Sequence, residues 1–149
     1  MDYESLVLQL KSLAEADADY VPFLSNASAL LYDAMPNLNW AGFYLIKNGR
    51  LVLGPFQGKV ACIHIPLGKG VCGTAVSENR TVRVANVHEF AGHIACDGAS
   101  NSELVIPIRK DGIPVGVLDL DSPLLSRFTE RDQAGLEQFV KTLEQLIRF

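Results

Sequence analysis

Leu104-Val105-Ile106-Pro107-Ile108, the turn Asp111-Gly112 and the return Val115-Gly116-Val117-Leu118-Asp119-Leu120-Asp121 decide the architecture. Two apolar runs joined by a dipeptide that tolerates positive φ read as an antiparallel hairpin. Period two places Asp119 and Asp121 on one face of the returning strand. Carboxylates on an otherwise apolar strand cost desolvation and repel each other, so they need solvent or a cationic partner.

Immediately upstream lies Gly92-His93-Ile94-Ala95-Cys96-Asp97-Gly98-Ala99-Ser100-Asn101-Ser102-Glu103. Small residues allow close approach of backbone and ligand, and polar side chains this dense rarely serve a core. Cys96 is the candidate nucleophile of this stretch.

Further upstream, Trp40-Ala41-Gly42-Phe43-Tyr44-Leu45-Ile46, Asn48-Gly49 and Leu51-Val52-Leu53 read as a second hairpin. Trp40, Gly42 and Tyr44 share one face, which suggests a pocket floor at the gap between the two aromatics. Residues 54–59 read as a loop and residues 61–65 as a short strand on which Cys62 and His64 share a face. Gly68-Lys69-Gly70 reads as a turn, lacking the spacing of a phosphate loop. A short helix over 72–78 and a strand over 81–84 follow. Apolar residues recur at three and four from Ser5 to Ala16, from Pro22 towards Pro36, and from Leu136 to Ile147, where Thr129 caps the last helix. These elements predict an α+β domain spanning 1–149, an antiparallel sheet with the N- and C-terminal helices packed on one face.

The 149 residues suffice for one sizeable core, and 48% hydrophobic with 20% charged is ordinary for a globular domain. A net charge of -4 with scattered Lys and Arg argues against nucleic acid. No apolar run approaches the ~18 residues that span a bilayer, and the acidic start is unlike a signal peptide. A cytoplasmic protein is expected, in which three cysteines, Cys62, Cys72 and Cys96, serve transient redox chemistry, a metal site or burial.

The residues alone leave those three options open. Cys96 needs a lowered pKa to attack, and His93 and Asp97 pull in opposite directions. His93-x-x-Cys96 and Cys62-x-His64 offer soft metal ligands, without the paired spacing of common zinc sites. His88 fits a loop or a capping interaction. Glu103, Asp119 and Asp121 lie at or within strands that otherwise look like core. Converging on one pocket, they would attract a cation such as an amino group and raise the pKa of at least one carboxyl, making it a proton donor.

Taken together, the chain resembles the free methionine-(R)-sulfoxide reductases, a family built on a GAF domain. The resemblance runs from about Asn39 to Asp121. It rests on Asn39-Trp40-Ala41-Gly42-Phe43-Tyr44, on Gly54-Pro55-Phe56-Gln57-Gly58-Lys59 with Ala61-Cys62, and on Gly68-Lys69-Gly70-Val71-Cys72-Gly73. Gly92-His93-Ile94-Ala95-Cys96-Asp97, Ser100-Asn101-Ser102-Glu103 and Leu118-Asp119-Leu120-Asp121-Ser122 complete it.

The resemblance implies a GAF fold and reduction of free L-methionine (R)-sulfoxide, a product of oxidative stress, to methionine. It implies no metal and no bound cofactor, recycling by thioredoxin with NADPH-dependent thioredoxin reductase, and a homodimer. Cys96 would attack, Cys62 is the first choice to resolve the sulfenic acid and Cys72 the second. Trp40, Tyr44, Glu103, Asp119 and Asp121 match the family's pocket, with Glu103 or Asp121 as the acid. Chemistry agrees: a sulfoxide sulfur is electrophilic and its oxygen must be protonated, which asks for a thiolate on one side and an acid on the other. The indole of Trp40 suits the sulfoxide methyl group. The rival readings are a non-catalytic GAF module binding a small regulator such as a cyclic nucleotide, and a thiol sensor.

Overall fold

The computed structural model describes residues 1–149. In chain order its elements are α1 (Tyr3–Ala16), α2 (Tyr20–Ala34), β1 (Trp40–Lys47), β2 (Arg50–Gly58), β3 (His64–Pro66), α3 (Gly70–Glu78), β4 (Val82–Val84), a 3-10 turn (Val87–Glu89), β5 (Ser102–Lys110), β6 (Ile113–Ser122) and α4 (Glu130–Leu146). Both hairpin turns take the predicted form. Asn48 and Gly49 sit at φ 54° and 77°, Asp111 and Gly112 at 54° and 79°, the paired left-handed conformations of a two-residue turn. β1 then pairs with β6, joining the hairpins into one antiparallel sheet of order β3-β2-β1-β6-β5-β4.

Alternation along the strands divides the interior in two. Ala41, Phe43 and Leu45 of β1, Leu104, Ile106 and Ile108 of β5, and Leu118 and Leu120 of β6 pack against α1, α2 and α4. Trp40, Tyr44, Val105 and Val117 face the opposite way, against α3. The terminal helices therefore do share one face of the sheet, and the other is left to α3 and two loops. Thr129 caps α4 as expected: its hydroxyl accepts from Asp132 N–H while the Asp132 carboxylate accepts from Thr129 N–H.

Three expectations are corrected. Residues 54–58 continue β2 rather than forming a loop. Gly42 pairs with Phe56 and Tyr44 with Leu53, so one extra residue bulges at Gly54-Pro55, where a strand accommodates proline. Cys62 is not on a strand, because β3 begins only at His64; Ile63 spends its carbonyl on Leu53 N–H and leaves residues 59–62 as a loop. The gap at Gly42 is no pocket floor. A Cβ there would lie 2.3 Å from Phe56 Cβ and 2.8 Å from the Trp40 ring, so the missing side chain admits these two neighbours.

Candidate active site

Two loops close over the α3 face of the sheet, and both are held by side chains on β1 or just before it. The Trp40 ring stacks between Tyr44, centroids 5.8 Å apart, and Phe56, 5.1 Å apart. Its indole N–H donates to Lys59 O at 3.2 Å, and the Tyr44 hydroxyl donates to Cys62 O at 2.9 Å. These bonds pin residues 59–62. Just before β1, the Asn39 amide donates to the Asp97 carboxylate and to Ser100 Oγ, each at 3.0 Å, pinning the end of the loop that carries Cys96. Where the loops meet, Cys62 and Cys96 form a disulfide with Cα atoms 5.4 Å apart. Cys72, on α3, is a buried free thiol.

Beneath the disulfide lie the acids. Register sets Glu103 of β5 opposite Asp121 of β6, and Asp121 opposite Trp40 of β1. Asp119, two residues back on β6, projects from the same face. Glu103 and Asp119 are buried, Asp121 half-buried. None of the three forms a salt bridge with Lys or Arg. Burial, reinforced by the charges of Asp119 and Asp121, pushes the Glu103 carboxyl well above its usual range. Burial and the Asp119 charge do the same to Asp121. Asp119 is raised by burial, against hydrogen bonds from Glu103 and Cys72 that favour its ionised form. The Cys72 thiol is raised well above its usual value by burial, then by Asp119 and Glu103. Burial and mutual repulsion thus push all three carboxyls and the thiol towards their neutral forms.

Trp40, Tyr44, Cys72, Cys96, Glu103, Asp119 and Asp121 all line one cavity, and Cys62 is bonded to its rim through Cys96. No Lys or Arg lines it. The open space is about 40 Å³, room for a few waters at ~10–15 Å³ of such volume each. His93 also faces the cavity; burial, followed by the nearby His88, lowers its pKa and favours the neutral ring. His88 takes the bland part foreseen for it, bonded through Nε2 to Asn101 Oδ1 at 2.8 Å. Of the soft metal ligands weighed in sequence, Cys62 and Cys96 are spent on each other.

Sequence reading quoted two contributors within motifs but gave them no part in the site. Phe56, the second wall of the Trp40 stack, was hidden because Gly54-Pro55 suggested a break. Asn39, the anchor of Asp97 and Ser100, acts across about 60 positions of sequence, and no local pattern reports such a bond; its Oδ1 is buried without a partner.

Comparison with known proteins agrees with this geometry. Residues 25–148 match the GAF domain family model. The free methionine-R-sulfoxide reductase of Escherichia coli is 50% identical, over 97% of this chain and 88% of its own length. The reduced form of the fRMsr of Staphylococcus aureus superposes with a TM-score of 0.94 at 53% identity, covering 99% of this chain and 96% of that one. Its complex with substrate gives 0.93 at 52%, over 99% and 96%. With half of its residues shared along nearly its whole length, the chain belongs to the free methionine-R-sulfoxide reductase family of GAF domains.

Proposed function

We propose that this protein reduces free L-methionine (R)-sulfoxide to L-methionine through a cysteine cycle that ends in the Cys62–Cys96 disulfide. That disulfide, lying over a buried acidic cavity, is the observation that carries the reading. In the reduced protein the substrate ammonium takes the place of the missing cation beside Asp119 and Asp121, and the Trp40 ring packs on the sulfoxide methyl. Glu103 or Asp121, kept protonated by its surroundings, donates a proton to the sulfoxide oxygen while the Cys96 thiolate attacks sulfur. Oxygen passes to Cys96 as a sulfenic acid and methionine leaves. The Cys62 thiol condenses with that acid, releasing water and forming the disulfide; Cys72, buried and with a raised pKa, stands second as resolver. Thioredoxin, reduced by NADPH through its reductase, returns the two thiols.

A cavity of about 40 Å³ holds water rather than an amino acid, which supports assigning the disulfide form to the end of the cycle. The chain works as one domain, pairs as a homodimer through its terminal helices, and acts in the reducing cytoplasm. The test is NADPH oxidation in the presence of thioredoxin, its reductase and either free methionine sulfoxide or the same residue inside a peptide. Turnover with the free amino acid alone is expected. Equal rates on both would sink the pocket reading, and no turnover on either would leave the protein a thiol sensor.

A further inference from the structure

We propose that the cavity also binds a zinc-class divalent cation, held by Cys72 Sγ and one carboxylate oxygen each from Glu103 and Asp119, and that this ion competes with substrate. The three donor atoms lie within 4.8 Å of one another. In a tetrahedral site two donors on one zinc stand about 3.4–3.7 Å apart, given Zn–S near 2.3 Å and Zn–O near 2.0–2.2 Å, so side-chain rotations that draw the donors together by about 1 Å close the set. A second observation points the same way: Asp119 Oδ1 is buried and has no hydrogen-bond partner, an expensive state for a carboxylate oxygen unless a cation completes it. No Lys or Arg on the cavity wall can play that part.

The donor set selects the metal. One thiolate with two carboxylates suits zinc and disfavours magnesium or calcium, which require six or more oxygens. Three protein ligands leave a fourth tetrahedral position, and the remaining space admits a water there. On binding, the ion displaces to solvent the protons held by Cys72 and Glu103. It would then occupy the carboxylates that the substrate ammonium needs, so oxidised sulfur amino acid and zinc exclude each other. The site uses neither Cys62 nor Cys96 and is therefore present in the disulfide form. This separates it from the proposed catalytic activity: the ion binds whether or not the protein reduces a sulfoxide.

The disulfide form also supplies a clean experiment, because Cys72 is its only thiol. Cobalt(II) titrated into this form, as a spectroscopic stand-in for zinc, should give a sulfur-to-cobalt charge-transfer band and the visible bands of four-coordinate cobalt, saturating at one ion per chain. Zinc should erase both and magnesium neither. Cys72→Ser and, separately, Asp119→Asn should lower zinc affinity at least about tenfold in competition with a chromophoric chelator. Absence of the charge-transfer band in the wild-type protein would overturn the proposal, whatever the variants do. Equal displacement by magnesium, or unchanged zinc affinity in a folded Cys72→Ser protein, would do the same.

Discussion

Glu103 stands at the start of a strand of leucine, valine and isoleucine, and its carboxyl resists ionisation because burial and two neighbouring carboxylates oppose it. This has a consequence for stability with a definite sign. Between the unfolded value of about 4.3 and the raised folded value, the native protein holds a proton that the unfolded chain has lost, so stability falls as pH rises through that window. The thermal midpoint of the disulfide form is expected to climb as pH drops from 7 to about 5. Glu103→Gln should flatten that dependence, and an unchanged slope would show that the proton resides elsewhere. The cysteines divide differently. Cys96→Ser is expected to produce no methionine, whereas Cys62→Ser should release one methionine per chain and then stall, as read by product counted in a single turnover. Normal cycling of Cys62→Ser would transfer the resolving role to Cys72. At this scale the acids were legible, since carboxylates on apolar strands stand out. The Asn39 bonds were not, because a contact spanning some 60 residues leaves no trace in local pattern.

The helices and the two hairpins were readable because each carries its own signal: apolar periodicity, a cap, or a turn dipeptide. Where β2 runs past Leu53, the signal misleads. Gly54-Pro55 looks like a break, yet the pairing with β1 absorbs it as a bulge and the strand continues to Gly58. Tertiary pairing, absent from any short window, overrides the local preference. The close β1–β2 contact at Gly42 is testable. Gly42→Ala puts a methyl carbon into Phe56 and the Trp40 ring. It should cost about 1–3 kcal/mol in denaturant unfolding and raise the KM for sulfoxide by displacing the indole. A substitution that left stability unchanged would mean that the strands can separate at no cost. At the α4 N-terminus, Asp132 accepts from Tyr3 Oη at 2.5 Å and from Arg127 at 3.1 Å besides closing the capping box. Burial opposes its ionisation, but these donors prevail and hold its pKa below the usual carboxylate range. Asp132→Ala should therefore destabilise the fold by about 2 kcal/mol or more, from a lost cap and stranded partners. Catalysis by the remaining folded protein should be unaffected.

Across the whole molecule, the disulfide ties two loops together, closing a segment of sequence separation 34. Restricting the unfolded chain to that extent is worth about 3–4 kcal/mol in the loop-entropy model. The disulfide form should unfold at higher denaturant than the reduced form, with proteolysis of the reduced protein concentrating around residues 91–99. Identical midpoints would indicate that the bond is formed at the expense of native packing.

The division of β5 and β6 between helix-covered and cavity-facing residues makes the hydrogen-bond ladder a ruler for the chemistry. Deleting a single residue within residues 116–118 would slip β6 by one position and rotate its side chains through half a turn. Leucines would then stand in the cavity and aspartates would press into hydrocarbon beneath α2 and α4. Insertions and deletions next to these strands are thus tolerable in their connections, such as the tip Asp111-Gly112, where length can change without turning the facing side chains over.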